Sequence, residues 1–169
     1  MKKVLSFVLV LTLVLGSFSM VFAASDTRSG SQLTDIADSA NADAIIANCD
    51  LGIITGYTDG SFKPEQSVTR AEFAAMLTRM LGVPDSALTG YAKTSFTDMS
   101  GYGWANSYIG FCEAKGIING YGDGTFGPGR TVTVNEAITM TLRAIGYTNN
   151  SSELVGAWPS NYVTLGKRL

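Results

Sequence analysis

The stretch Gly52-Ile-Ile-Thr-Gly-Tyr-Thr-Asp-Gly-Ser-Phe-Lys-Pro64 occurs in two closely similar copies in this sequence of 169 residues. The second copy, Gly116-Ile-Ile-Asn-Gly-Tyr-Gly-Asp-Gly-Thr-Phe-Gly-Pro128, follows at an offset of 64 residues, from 52 to 116, and the alignment continues without a gap to Gly82 and Gly146. Many identities at one fixed offset indicate tandem copies of a single structural unit. Such units rarely bury their apolar faces alone, so a third copy is expected.

The last residues of the chain begin this third copy. Aromatic and apolar positions of the second copy recur 54 residues later, as the pairs Trp104 and Trp158, Tyr108 and Tyr162, and Ile109 and Val163. In this register Leu169 stands one residue before the expected glycine, so the third unit is interpreted as truncated. We expect residues 157–168 to form a helix that packs on the preceding units, because its aromatic side chains need burial.

Each unit is predicted to consist of a helix, a turn-rich loop and a second helix, which makes the fold class mainly α. The first helix of the second unit ends at Gly116, where glycine supplies the left-handed residue after a helix. A weaker helical pattern precedes Gly52. The repeated Asp-Gly dipeptide favours a hairpin-like turn and not a sheet. Residues 84–95 and 147–156 are rich in Ser, Thr, Asn and Gly and are interpreted as linkers.

The second helix of each unit is predicted to begin at Thr69 or Thr133. Each threonine is followed three residues later by Glu72 or Glu136, which is the capping-box pattern. Apolar spacing predicts the buried faces, which comprise Phe73, Met76, Leu77 and Met80 in the first copy and Ile138, Leu142 and Ile145 in the second.

The first residues indicate secretion. Lys2 and Lys3 precede an apolar run, and Ala23 ends a stretch suited to signal peptidase, so residues 1–23 are predicted to be a cleaved signal peptide. A retained membrane anchor is the alternative. Cleavage would remove two of the 12 basic residues and leave 14 acidic ones. An acidic chain without a basic cluster argues against nucleic acid and against an anionic membrane as partners.

The residues available for catalysis or metal binding are few. The chain has no histidine, which is the commonest general base and zinc ligand, so no catalytic residue, metal site or cofactor is predicted. Cys49 and Cys112 lie in helical patterns beside apolar residues, where a small buried hydrophobe is the first interpretation and a disulfide the second. A calcium loop of the EF-hand kind is excluded, because Thr55 and Tyr57 stand where its oxygen ligands are needed.

The repeated motif resembles the S-layer homology (SLH) domain family, and the segment from Val68 to Ala74, Val-Thr-Arg-Ala-Glu-Phe-Ala, strengthens the likeness. The resemblance covers the chain from Leu33 onward and divides it into residues 33–83, 96–147 and 156–169. It implies a bundle of three helical units with pseudo-threefold symmetry. It also implies binding, in grooves between units, to secondary cell-wall polymers that often bear a pyruvylated sugar.

On this resemblance the chain is expected to be a secreted protein of the cell wall or S-layer and to have no enzymatic activity of its own. Its partner would be a peptidoglycan-linked polysaccharide. Lateral self-assembly of an S-layer is the alternative function. A wall hydrolase whose catalytic domain follows Leu169 is a third, less favoured interpretation.

Arg70 is the foremost candidate for ligand binding. The capping box explains Thr69 and Glu72, but a cation in the first helical turn faces the positive end of the helix dipole. A solvated surface arginine is the alternative. In the functional interpretation, the guanidinium and the exposed amides of that helix end bind a carboxylate, as a pyruvyl group would offer. Replacing Arg70 with alanine should then weaken polymer binding and barely change fold stability.

Further candidate ligand contacts are Thr69, Glu72, Trp104, Gly122 and Asp123. The family uses the tryptophan near the sugar, although its helical spacing equally suits a core residue. Gly122 and Asp123 are placed to bond sugar hydroxyls, or they simply form the turn. The grooves are expected to be unequal, because Ala40 replaces the tryptophan in the first unit and Val134 replaces the arginine in the second.

Overall fold

The computed structural model describes residues 30–169, so the predicted signal peptide lies outside the described residues. This part of the chain contains five α-helices: α1 (Ala42–Asp50), α2 (Arg70–Met80), α3 (Asn106–Ala114), α4 (Val134–Ala144) and α5 (Ser160–Arg168). Three short 3₁₀ helices span Gly30–Gln32, Asp85–Tyr91 and Gly103–Ala105. From residue 30 onward the only extended pairing is an isolated bridge between Thr69 and Thr131. The mainly α fold class is confirmed, and the pseudo-threefold arrangement stays a prediction.

The described residues divide into two compact units, residues 30–64 with Leu169 and residues 65–168. This boundary falls inside the first sequence repeat, immediately ahead of α2. Helix α2 packs against α3 of the following repeat, which places the two helices in the same unit. Sequence repeats and compact units therefore do not coincide.

The described part of the first unit, residues 30–64, carries α1 and the first copy of the turn-rich loop. Ile45 and Cys49 of α1 are buried. The loop closes as a tight turn in which the amide of Tyr57 donates to the Ser61 carbonyl oxygen at 2.8 Å. Asp59 accepts from the amide and hydroxyl of Ser61 at 2.9 and 2.6 Å. Side-chain bonding of this kind makes the turn without a sheet, as the sequence predicts.

Both predicted capping boxes are present in the second unit. The hydroxyl oxygen of Thr69 accepts from the amide of Glu72 at 3.2 Å, and the Glu72 carboxylate accepts from the amide of Thr69 at 2.8 Å. Thr133 and Glu136 repeat the arrangement at 3.3 and 2.8 Å. The threonine-to-glutamate spacing alone therefore identified the N-cap residues of α2 and of α4.

The buried face of α2 differs from the predicted one. Leu77 is buried as predicted, but Phe73 and Met80 lie only at the edge of the core. The face that is buried is formed mainly by small residues, namely Ala71, Ala74, Ala75 and Thr78. Small side chains let α2 pack closely on α3, where the Thr78 hydroxyl contacts the Cys112 sulfur at 3.3 Å. In α4, Leu142 is buried, whereas Ile138 and Ile145 are half-buried.

The interpretation of residues 84–95 as a linker is wrong. Asp85–Tyr91 forms a 3₁₀ helix whose Leu88 is buried, and the Tyr91 ring meets the edge of Phe111 at 5.3 Å between centroids. The Ser- and Gly-rich composition hid these two apolar anchors. A β-carbon at Gly110 of α3 would collide with the Tyr91 carbonyl oxygen, so the segment lies directly on α3 at a position that only glycine permits.

The predicted terminal helix is confirmed as α5, which begins at Ser160 and not at residue 157. Tyr162 and Leu165 are buried, and α5 packs on α4. The Tyr162 hydroxyl accepts from Nε of Arg143 at 3.1 Å, much as the Tyr108 hydroxyl accepts from Arg79 at 3.1 Å. Arg79 and Arg143 thus make the same arginine-to-tyrosine contact in successive repeats.

The two cysteines are free and buried, so the buried-hydrophobe interpretation is confirmed and the disulfide alternative is wrong. Burial raises the pKa of the Cys112 thiol to about 11. It raises the pKa of Cys49 as well. Both groups are therefore neutral at physiological pH and poor nucleophiles.

Candidate ligand-binding cleft

Arg70 is the first residue of α2, in the second compact unit (residues 65–168). Its backbone is bonded to the turn of the second sequence repeat. Its backbone amide donates to the Arg130 carbonyl oxygen at 2.9 Å, and the Ala71 amide donates to that of Pro128 at 3.0 Å. The Glu72 amide is taken by the Thr69 cap. The expectation that exposed amides of this helix end help to bind an anion is therefore wrong, because protein oxygens already occupy them.

The guanidinium of Arg70 is buried, with 3 % of the residue surface exposed. Nε donates to the Phe126 carbonyl oxygen at 2.8 Å, and Nη1 forms an ion pair with Glu136 at 2.5 Å. The rings of Tyr121 and Phe126 lie 4.8 and 4.5 Å from the guanidinium carbon. The alternative of a solvated surface arginine is wrong. The premise that only a ligand explains Arg70 is also wrong, because it joins two successive repeats.

Glu136 has two roles in this arrangement. One carboxylate oxygen accepts from the amide and hydroxyl of Thr133, both at 2.8 Å, while the other pairs with Arg70. Burial raises the pKa of Glu136, but hydrogen bonds from Thr133 and the positive charges of Arg70 and Arg130 outweigh it. The net result is a pKa below the ordinary glutamate value. The lowered pKa keeps Glu136 as a carboxylate. In that form the capping glutamate of one repeat makes an ion pair with the motif arginine of the preceding repeat.

Arg70 and Glu136 line a cleft of about 310 Å³. Its principal side chains are Arg70, Tyr121, Glu136, Thr139, Arg143 and Trp158. The arginine comes from the first sequence repeat, the loop and α4 from the second, and Trp158 from the third. The cleft therefore exists only because successive repeats pack together.

An aromatic side chain on the cleft is held with its surface open. Trp158 is 56 % exposed, and its indole Nε1 donates to the Thr139 hydroxyl at 3.0 Å. Thr139 in turn donates to the Asn135 carbonyl oxygen at 2.8 Å. This chain of bonds fixes the indole edge and leaves ring surface accessible to solvent.

The remaining predicted ligand contacts lie elsewhere or on the rim. Thr69 and Glu72 form the cap of α2. Trp104 is 52 % exposed on the turn before α3, 6.5 Å from the Tyr108 ring, and is not part of this cleft. Gly122 and Asp123 are exposed in the loop that follows Tyr121.

Asp123 serves the turn of the second repeat. Its carboxylate accepts from the amide and hydroxyl of Thr125 at 2.9 and 2.6 Å. Those hydrogen bonds lower its pKa. The turn-forming interpretation of Asp123 is therefore confirmed, and a sugar contact there stays a prediction.

Sequence reasoning missed three functional contributions. Glu136 was interpreted as a cap alone, and Trp158 as a residue to bury, although its register with Trp104 marked it as equivalent. Asp98 was missed entirely. Its carboxylate accepts from the amides of Phe126 and Gly127 at 2.9 and 2.7 Å and so fixes the loop beside Arg70.

The missed aspartate has a counterpart in the first unit, where Asp35 accepts from the amides of Phe62 and Lys63 at 2.7 and 2.8 Å. Asp35 and Asp98 are 63 residues apart, one residue out of the main register. A search at a fixed offset therefore does not reveal the pair.

Metal-binding clusters of three or more acidic or cysteine side chains do not occur among residues 30–169. In the same part of the chain, every helix is too short or too polar to cross a lipid bilayer.

Residues 32–74 and 95–133 match the S-layer homology domain family. These two stretches include both copies of the repeated motif and the helix end that carries Arg70. The chain belongs to the S-layer homology family through these two stretches. It is 32 % identical over 169 residues to a surface layer protein of Brevibacillus choshinensis, a match that covers 100 % of this chain and 14 % of the relative.

Two further relatives differ in kind. A cellulosome-anchoring protein of Acetivibrio thermocellus is 29 % identical over 120 residues, covering 65 % of this chain and 27 % of the relative. An endoglucanase of Bacillus sp. (strain KSM-635) is 31 % identical over 157 residues, covering 90 % of this chain and 16 % of the relative. The chain thus spans between about one seventh and about one quarter of these proteins. Together the matches place it at the cell wall or cell surface.

Proposed function

We propose that this chain anchors a surface protein non-covalently by binding an anionic cell-wall polysaccharide in the Arg70 cleft. The observation that carries the proposal is a cleft that successive repeats form together. A buried guanidinium and an exposed tryptophan line it. The cellulosome-anchoring relative and the surface layer relative support an anchoring function. The endoglucanase relative matches over only 16 % of its own length, which suits a module attached to separate catalytic parts.

The Arg70 guanidinium retains one nitrogen for a ligand. Nε and Nη1 bond to Phe126 and Glu136, while Nη2 has no hydrogen-bond partner among residues 30–169. A carboxylate on the polymer, such as that of a pyruvylated sugar, would accept from Nη2 in a charge-assisted bond. Glu136 neutralises part of the arginine charge, so the cleft would favour a single carboxylate there over a more highly charged group.

The sugar ring would lie on Trp158. The apolar face of a sugar suits the surface of an aromatic ring. Because the hydrogen bond to Thr139 already orders the indole, ligand binding does not have to order it. Gly122 and Asp123 would add contacts from the exposed loop. Trp104 would contact polymer at a separate position, since it lies outside this cleft.

The test is calorimetric titration of purified wall polysaccharide into the protein. Trp158→Ala should weaken binding by about three- to ten-fold, which is the effect of one aromatic contact. The melting temperature should fall by no more than a few degrees, because Trp158 is more than half exposed. Trp104→Ala removes a tryptophan of similar exposure from the separate position, and it should weaken binding less than Trp158→Ala because Trp104 lies outside the cleft that holds Arg70. Mild acid treatment, which removes acetal-linked pyruvate, should weaken binding to the wild-type protein.

Unchanged affinity in Trp158→Ala at unchanged stability would contradict binding in this cleft. A loss in Trp104→Ala alone would place the ligand beside Trp104. Concentration-dependent association without polymer, seen by analytical ultracentrifugation, would instead favour S-layer self-assembly.

A further inference from the structure

A second arginine, Arg130, lies against Tyr121, a residue that lines the cleft. The guanidinium carbon of Arg130 lies 5.0 Å from the centre of the Tyr121 ring, and that of Arg70 lies 4.8 Å from the same centre. One ring thus contacts two cations. Arg70 is buried, whereas Arg130 is exposed.

Arg130 has no acidic partner of its own. Its guanidinium makes no side-chain hydrogen bond or ion pair within the described part of the chain, where the single salt bridge joins Arg70 to Glu136. Glu136 feels the positive charge of Arg130, but its oxygens are already bonded to Thr133 and Arg70. Both guanidinium carbons lie within 5.0 Å of one ring centre, so the two like charges are at most about 10 Å apart and only partly screened.

The loop is arranged to admit this second cation. Gly127 has a φ of 69°, and a β-carbon there would lie 2.8 Å from Cδ of Arg130 and 3.0 Å from the Tyr121 ring. A glycine therefore provides the space in which the arginine stem and the ring meet. In the first repeat, Lys63 occupies the equivalent position, and its own Nζ covers Tyr57 at 4.3 Å. Gln66 stands there in place of Arg130.

Packing on the tyrosine does not by itself require Arg130, because Arg70 already contacts that ring. Arg70 and Arg143 line the cleft with one carboxylate, Glu136, and Arg130 adds a third cation beside Tyr121. The whole chain has a formal net charge of −2, so this surplus of positive charge is local. Such a local surplus attracts and orients a negatively charged ligand.

We infer that Arg130 is a second anion contact, so that the cleft prefers a saccharide segment with two negative groups over one with a single carboxylate. The inference rests on the proposed function and specifies its ligand. Arg70 would take the first carboxylate inside the cleft, and Arg130 would take a second negative group on the neighbouring residue. That second group is either a carboxylate or a phosphate, since a guanidinium binds both.

The experiment compares three synthetic probes by calorimetry at low and high salt. The first is a hexoside with one carboxyethylidene acetal, the second a disaccharide with one acetal on each sugar, and the third the single-acetal hexoside with an added phosphate. The variants are Arg130→Gln, which installs the residue found at position 66, and Arg130→Lys, which keeps the charge.

At low salt, wild type should bind one of the two doubly charged probes about three- to ten-fold more tightly than the single-acetal probe. This ratio of affinities should shrink at high salt. Arg130→Gln should bring the ratio close to one while its affinity for the single-acetal probe stays within about two-fold. Arg130→Lys should restore part of the ratio. Preference for the second or the third probe identifies the second group as carboxylate or phosphate.

An equal ratio in wild type and Arg130→Gln would overturn the inference and leave the proposed function intact. So would a wild-type ratio of one. If wild type bound none of the probes and no purified wall polysaccharide, the proposed function would fail and the role of Arg130 with it. Circular dichroism of both variants checks the fold, which should persist because Arg130 contributes to the bridge with α2 through its backbone carbonyl.

Discussion

Replacing Arg70 with methionine should destabilise the second unit strongly, in contrast to the small effect that the sequence predicts. Methionine keeps most of the apolar stem but leaves the Glu136 carboxylate without its cation. Removing one partner of a buried ion pair costs roughly 3–5 kcal/mol. The side chain of Glu136 is 16 % exposed and keeps its bonds to Thr133, so partial hydration offsets some of that loss. We expect a decrease of about 2–4 kcal/mol in the free energy of unfolding at pH 7.

Urea denaturation followed by circular dichroism measures this decrease. Arg130→Met is the matched control, since it removes the same charge from an exposed position near the same carboxylate and should cost less than about 1 kcal/mol. The double variant Arg70→Met with Glu136→Gln should lose less than the sum of the single variants, with a coupling of at least about 1 kcal/mol.

The effect of Arg70→Met should also depend on pH. The folded-state pKa of Glu136 lies below its ordinary value, so its contribution to stability is present above the unfolded pKa and is lost as pH falls through the folded one. The difference between wild type and Arg70→Met should therefore narrow as pH drops below about 4.5. A loss under 0.5 kcal/mol at pH 7, or an equal loss at pH 7 and pH 3, would refute a stabilising role for the pair.

Three further predictions concern the fold. Thr69→Ala and Thr133→Ala should each lower the free energy of unfolding by about 1 kcal/mol in urea titrations, because each removes an N-cap, and an unchanged midpoint would contradict the role of the cap. Gly110→Ala should destabilise by more than about 2 kcal/mol, since the methyl group meets backbone carbonyls, whereas Gly103→Ala has open space and should change thermal melting little. The free energy of unfolding should stay nearly constant from about pH 5 to 8, because the chain lacks histidine. It should fall in acid as Glu136 and other carboxylates of lowered pKa are protonated. A transition in stability at about pH 6.5 would contradict this prediction.

Much of the local structure is determined by the sequence alone. The Thr-to-Glu spacing placed the start of α2 and α4, and glycine placed the end of α3 at Gly116, whose φ of 67° other residues adopt only with strain. These features depend on hydrogen bonds and backbone sterics within a few residues. A fixed offset between copies then revealed the repeat, because each copy must make the same local contacts. The start of a third copy, with Trp158, Tyr162 and Val163, was visible for the same reason.

Contacts between repeats were decided only by the tertiary structure. Nothing in the residues around Arg70 shows that its partner is Glu136, 66 positions away, or that carbonyl oxygens of the next turn occupy the amides of its helix end. The buried face of α2 was misplaced because small alanines are buried by close helix packing, which apolar periodicity does not predict. Local sequence determines caps and turns through short-range bonds. The partner of a buried charge depends on which distant segment the packed core brings beside it.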